Sequence, residues 1–589
     1  NTAIGHDALC ATTTGGQNNA FGDGAMNTNT IGCRNIAMGS SALFSNTEGL
    51  CNTALGHIAM YDNSTGDTNT AVGSSALENN TTASSNTAVG HNSLCVNTTG
   101  AENTAVGIAT LRANTTGTRN VAVGYLALTS NTEAAGNIAI GESALENNST
   151  GASNTAVGRK SLINNTTASN NTAFGFCTLT QQTTNGTHNT AVGANALRLN
   201  TTGTHNVAVG FAALDGNTEA VGNVAIGHAA LNANTTGAGN TAVGRQSMDA
   251  NTTGASNTAV GNNSLGANTT GCENIAVGLE AMKFGTTGDF NTAVGVLTLG
   301  GSDVSTGNNN TAIGRKSMFD NTSGTNNTAV GNDSLGNNTT GASNVAVGNA
   351  AMFDNTSGNN NVGVGCDALG NNTTASNNTA VGCGALHKNT TGSTNTAAGQ
   401  RASACNTTGD SHSAFGFEAL KTNTTGGNNT AVGYRSLYTN STGSDNTALG
   451  WSSLCVNTTG NSNVTIGKDA GKAIDDGDGN VIVGALGADN LTTGCYNTYV
   501  GSETSPSAVG VLFESVVGRS GTGKGSGTFF SASSANGVFN TANATAWSQT
   551  SDRRIKKNIV NNNTGLDKIN QIQVRDFEYR TKDEVTDFE

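Results

Sequence analysis

Apolar and polar positions along the chain follow one pattern that returns every 17 residues or so, roughly thirty times between Asn1 and Gly501. The unit is Asn-Thr-Ala-Val-Gly, two variable residues, Ala-Leu, two variable residues, Asn-Thr-Thr-Gly and two more. Starts at Asn69, Asn86, Asn103, Asn120, Asn137 and Asn154 keep strict spacing, and extra residues enter only before Asn189 and before Asn310. A fixed short period predicts a solenoid, with the two slips absorbed in loops. Thr-Ala-Val has strand character, the Gly after it permits a corner that a side chain would obstruct, and Ala-Leu reads as a second short strand. Alternation puts Ala105 and Val106 on opposite faces, as it does Ala3 and Ile4. Val106 and Leu111 are therefore expected to fill the lumen of the coil, leaving a smooth Ala face to meet another surface. A helix is excluded by recurrent Gly and β-branched Thr and by the lack of apolar residues at helical spacing.

Composition shows why coils must stack. Of 589 residues 80 are Gly and one is Pro, while aromatics make up only 4%. One large apolar pair per unit cannot offset the entropy of ordering 17 residues, so each coil has to bury its interior against the next. The predicted fold is all-β, a parallel β-solenoid (β-roll or β-helix) of about thirty coils. At about 4.8 Å per coil this is a rod on the order of 140 Å long. The expected divisions are a repetitive shaft over residues 1–515, a Gly/Ser-rich junction over 516–550 and a separate domain beginning at 551–589. The chain opens inside a repeat at Asn1 and reads as a piece of something longer.

Charge removes two function classes. A net charge of −13 with no basic stripe along the repeats gives no electrostatic footprint for nucleic acid. No apolar run approaches the roughly 20 residues of a membrane-spanning helix, so no membrane insertion is expected. Eleven cysteines are scattered without a CxxC pair, which argues against both a zinc site and a complete disulfide framework. Cys366 and Cys383 fall at one place in adjacent coils, near enough to pair, although in-register stacking rarely meets the disulfide torsion.

The Asn-Thr-Thr-Gly stretch is turn chemistry, since Asn and Gly tolerate left-handed backbone and Thr hydroxyls bond locally. In a parallel stack the recurring Asn97, Asn114, Asn234, Asn251 and Asn457 can form an amide ladder, donating to one neighbouring coil and accepting from the other. The same residues open Asn-x-Thr sequons, so they are also candidate glycosylation sites.

Asn223-Val-Ala-Ile-Gly227 and its variants resemble the Asn-Ser-Val-Ala-Ile-Gly element in the heads of trimeric autotransporter adhesins. The resemblance covers a short motif and implies a left-handed parallel β-roll in which three chains pack around an axis. A homotrimer is the expected assembly.

The period fades after Gly501, and composition changes abruptly at Ser551-Asp-Arg-Arg-Ile-Lys-Lys-Asn-Ile559. Leu566, Ile569 and Ile572 lie at helical spacing and Val574–Tyr579 reads as a strand, so an α+β domain begins here. This segment closely resembles the start of the endosialidase-type intramolecular chaperone that ends many phage tail spikes and fibres. Ser551, Asp552, Arg554, Lys556, Asn558 and Ile559 fall in that family's order, and Phe577-Glu-Tyr579 follows where the family has a similar strand. The resemblance implies a domain that assembles three chains and then cuts itself off before the Ser, here between Thr550 and Ser551, with Ser551 and Asp552 required. A hydroxyl can attack the carbonyl just before it while a neighbouring carboxylate takes the proton.

Two further runs imitate chemistry. Gly518-Arg-Ser-Gly-Thr-Gly-Lys524-Gly525 nearly spells a phosphate loop, but Gly525 occupies the hydroxyl position and no helix follows. Asp475-Asp-Gly-Asp-Gly479 lacks the alternating ligands of a calcium loop. His6, His57 and His91 are expected to face solvent. No acid/base or ligand spacing recurs, so neither cofactor nor metal is expected, nor an enzyme beyond single-turnover self-cleavage.

These readings together imply the trimeric shaft of a viral, phage-type tail fibre that presents repeated loops to a host-surface receptor or glycan. The alternative is an extracellular filament or cell-surface adhesin, glycosylated at its sequons. A polysaccharide-degrading tail spike is a third reading, for which the repeats offer few carboxylates and aromatics.

Overall fold

The structure is a computed structural model that describes residues 1–301, 304–533, 536–541 and 548–549. Thirty-one three-residue strands, β1 (Thr2–Ile4) to β31 (Ser515–Val517), stack one per coil into a single parallel sheet. Pairing is in register throughout. Thr104, Ala105 and Val106 of β7 (Thr104–Val106) face Val121, Ala122 and Val123 of β8 (Val121–Val123). The expected all-β parallel solenoid is the fold. Both slips are absorbed outside the sheet: Thr172 pairs with Thr190 and Thr292 with Thr311, although those coils are longer.

Two local expectations are corrected. Ala-Leu is not a second strand. Ala109 and Leu111 hold left-handed backbone at φ 55 and 49, so the segment curls as a turn while the Leu111 N–H donates to Ala127 O of the next coil at 3.1 Å. That conformation disfavours β-branched side chains, and the Leu111 position is filled by Leu, Met or a small residue. The lumen assignment also had the wrong phase. Ala105 is fully buried with Leu111 inside the coil, whereas Thr104 and Val106 are half-buried on the outer face. A three-residue strand turns only its middle side chain inward, and the narrow lumen accepts a Cβ there against one Leu from the opposite turn.

Near the C-terminal end of the stack this division of volume inverts. The strand-centre residue grows from Ala448 to Thr465, Ile482 and Tyr499, while the turn residue shrinks from Leu454 to Gly471 and Ala488. A Cβ added at Gly471 would lie 2.9 Å from Ile482 Cδ1 and 3.0 Å from Thr465 Cγ2. Lumen volume is thus conserved while its source changes sides, as close packing requires.

The corner glycine is sterically dictated. Gly107 has φ +134, and a Cβ there would stand 2.5 Å from Gly124 O in the next coil. The rest of the coil is closed by two asparagine ladders. Asn103 Oδ1 accepts the Asn120 N–H at 3.0 Å, and its Nδ2 donates to Gly117 O at 2.8 Å. Asn114 Nδ2 donates to Asn97 Oδ1 at 2.8 Å and to the same Gly117 O at 3.0 Å. Most buried polar side chains are satisfied from coil to coil, with a few exceptions such as the Ser403 hydroxyl.

After β31 the stack ends in a different pairing. β32 (Phe529–Ser533) continues parallel to β31, then β33 (Asn536–Asn540) returns antiparallel and pairs with β34 (Ser548–Gln549). The helix and strand expected beyond Ser551 lie outside the described residues. No helix among the described residues is long and apolar enough to cross a membrane.

Candidate functional site

The sequon asparagines sit in the interior. Asn97, Asn114, Asn234, Asn251 and Asn457 are fully buried, each with Nδ2 donating to the Oδ1 of the preceding coil's asparagine and to a glycine carbonyl three residues on. A glycan on Nδ2 would take one of its two hydrogens, break at least one of these bonds and find no space in the interior, so in the stacked coil these are ladder residues. The second ladder, formed by Asn103, Asn120 and their equivalents, was legible as a recurring unit start but not as a buried network. Two substitutions in the ladders fit local needs. Gln182 replaces Asn in the lengthened coil, and its longer arm reaches Gly186 O while accepting from Asn200 Nδ2 at 2.7 Å. His412 takes the place of a unit-start Asn, and its Nδ1 accepts the Asn429 N–H at 3.4 Å.

The imitated motifs are occupied by the fold itself. Gly525 donates its N–H to Glu514 Oε1 at 2.8 Å, Gly523 donates to Ser505 O at 2.8 Å and Lys524 lies over the Phe530 ring, so these groups of the phosphate-loop lookalike are already engaged within the fold. Glu514 also accepts from Tyr499 Oη at 2.8 Å, and burial with this bond holds the Tyr499 phenol far above its ordinary pKa. Asp478 caps the Asn461 N–H at 2.7 Å. No cluster of His, Cys, Asp or Glu able to hold a metal occurs among the described residues. Cys366 and Cys383 are exposed free thiols, and His6, His57 and His91 are exposed.

Solvent is reached by the first residue after many corner glycines, by the turn threonines and by the residues just before many unit starts, with the pair after each Leu partly exposed, and the residues after the glycine and the Leu vary. On one stretch they converge. Phe417, Tyr434 and Trp451 follow the corner glycines of three successive coils with exposures of 37, 40 and 56%. Their ring centroids are 5.4 and 5.0 Å apart, Trp451 tilted by 50°. Glu418, with only 4% of its side chain exposed, accepts from Lys421 Nζ at 2.7 Å and Arg435 Nε at 2.9 Å, with Arg401 3.8 Å away. Lys421 first, and then Arg435, hold its carboxyl below the usual range. The Arg435 guanidinium lies 5.4 Å from the Tyr434 centroid and 5.0 Å from that of Tyr438. Beside this cluster a groove of about 300 Å³ is bordered by His387, Lys388, Arg401 and Lys421, with Asp367 on its rim. A 17-residue spacing of Phe, Tyr and Trp was the sequence signal for this face, and composition averaged over the chain concealed it.

Residues 551–588 match the family described as chaperone of endosialidase. No curated protein and no solved structure matches the chain. Ser551 and Asp552 open the matched segment and lie outside the described residues, so their geometry carries no argument.

Proposed function

We propose that the chain is the shaft of a viral tail fibre of phage type, assembled as a homotrimer and folded with the help of its C-terminal chaperone segment. The observation that carries this reading is the union of two features in one chain. A uniform stack of thirty-one coils runs into a segment matching the chaperone of endosialidase. The work of such a rod is mechanical and adhesive, holding a tip away from a particle and offering repeated loops to a cell surface.

Trimerisation is supported by the outer face of the sheet. Every coil places its first and third strand residues there, and the third positions form an apolar row that includes Ile140, Phe174, Ile226 and Ile313, all exposed. A continuous, untopped sheet face of this kind invites a partner surface. It replaces the alanine face as the assembly surface, since the alanines are inside. Self-cleavage between Thr550 and Ser551, with Ser551 as nucleophile and Asp552 as proton acceptor, is carried over from the resemblance.

The test is sedimentation and intact mass of the full-length protein, alongside Ser551→Ala. A trimer whose shaft chains end at Thr550, with Ser551→Ala left uncut, supports the reading. A monomer overturns it. Antibody to the repeats should label particle tails; labelling of a cell envelope instead would favour a cellular filament.

A further inference from the structure

We propose that the flank from Lys388 to Lys468 binds an anionic saccharide lying along the fibre axis, an inference that rests on the host-surface role just proposed and names its ligand class.

The charge is local. In a chain of net charge −13, Lys388, Arg401, Lys421, Arg435 and Lys468 gather on one flank, faced there by Asp367, Glu418 and Asp469. Glu418 offsets one of these charges, but it does so from beneath and leaves the outer surface to the cations. Buried beneath it, the carboxylate anchors Lys421 and Arg435 by direct bonds, so their remaining N–H groups are held in place rather than free to wander. Lys421 also meets Tyr438 Oη at 3.3 Å. Arg435, anchored by Glu418, lies near both tyrosine rings and stays 43% exposed, so its planar guanidinium is open to a carboxylate or a sulfate.

The aromatics distinguish a sugar from a bare anion. Large apolar rings are exposed on a soluble surface for a reason when they cluster. Trp451 is the most exposed of the three and tilts out of the Phe417–Tyr434 stack, so part of its ring is turned to solvent beside Lys468. Amphipathic rings of this kind pair with the C–H faces of pyranoses while cations take the acidic substituents. The coil rise of about 4.8 Å is close to the length of one pyranose residue, so successive sugars of an extended chain can meet successive coils.

The experiment uses the full-length trimer and a short oligogalacturonate, whose every ring carries a carboxylate, with its methyl ester and linear polyphosphate as controls. Binding is read by calorimetry, and folding of each variant by its melting curve. The acid should bind and the ester should not. Arg435→Ala and Lys421→Ala should each weaken binding about tenfold or more. Trp451→Ala should weaken the saccharide by a similar factor and leave polyphosphate unchanged. No binding of oligogalacturonate overturns the proposal. So does saccharide binding indifferent to Trp451→Ala, which would mark a general anion patch. A trimer that is cut before Ser551 and labels particle tails while failing here would sink the site and leave the fibre reading standing.

Discussion

Asn114 donates its side-chain N–H to Oδ1 of Asn97, 17 residues and one coil away, and accepts in turn from Asn131 at 2.7 Å. The amide is a rung, not a surface group. Asn114→Ala leaves the buried Asn97 Oδ1 without its donor and takes one of two partners from Gly117 O and from Asn131 Nδ2, which keep Asn103 and Ala134 O. The expected local cost is roughly 2–4 kcal/mol. Since each coil touches only its neighbours, hydrogen exchange should quicken around Thr98–Thr132 and stay unchanged beyond a few coils. Production in a glycosylating host should add no sugar mass at Asn97 or Asn114 of the folded shaft.

A second exchange of partners lies where Gly471 faces Ile482. Other coils place Leu at the turn position with the same left-handed backbone, so the main chain at Gly471, φ +56, accepts a side chain, and Ile482, Thr465 and Ile474 obstruct it, Ile482 most closely. Gly471→Leu alone should overpack the lumen and Ile482→Ala alone should empty it, each costing about 1–4 kcal/mol. Together they should recover at least about 1 kcal/mol of the summed loss in a double-mutant cycle. Additive losses would show that the two positions do not share one space.

The period made the stack, its parallel register and the place of both insertions legible, because a repeat cannot keep step unless like residues lie over like. Phase was not legible. Alternation separates Ala105 from Val106 but does not say which side is inside, and hydrophobicity pointed to Val106. The answer depends on the closing turn, where left-handed Leu111 fills the space that Val106 would need. The Phe417, Tyr434 and Trp451 row was in the sequence at one spacing, yet its cations come from two different coil positions, and only the fold brings Glu418 and Lys421 of one coil against Arg435 and Tyr438 of the next.

His412 is fully built into a ladder of amides, and burial lowers its pKa to about 4, with Asp410 opposing weakly. The unfolded chain takes up the proton near pH 6.5 while the folded coil resists it. Stability is therefore complete above about pH 6.5 and falls progressively as pH drops to about 4, by about 3 kcal/mol in all. His412→Asn, which restores the ladder residue, should flatten this dependence for neighbouring amides in pH-stepped hydrogen exchange. An unchanged profile in His412→Asn would assign the acid sensitivity elsewhere.

Ser403 occupies the turn position that Leu386 and Leu420 fill in the coils on either side, and its buried hydroxyl has no hydrogen-bond partner. The coil lacks apolar volume and carries a desolvated polar group at once. Ser403→Leu should remove both faults in a backbone that already holds the left-handed conformation, and stabilise the region by about 1–3 kcal/mol. Slower exchange of the Ser403 and Leu386 amides is the readout; faster exchange would mean that the Ala397 side of the lumen has closed over the gap.

The phase of the strand sets the sharpest contrast. Ala105→Asp buries a carboxylate with no partner in the lumen and should abolish protection of the surrounding coils in any assembly state. Val106→Asp places the same charge on the outer face, where the side chain reaches solvent, and should leave the coil's own amides within about 1 kcal/mol of their original protection. If three copies share that face, the same substitution repeated at Val123 and Ile140 sets like charges against one another along the axis and should lower the trimer fraction in sedimentation while each chain stays folded. An unchanged trimer would move the shared surface off the strand face and onto the variable flanks, where Phe417 and Arg435 would then lie within the assembly instead of outside it.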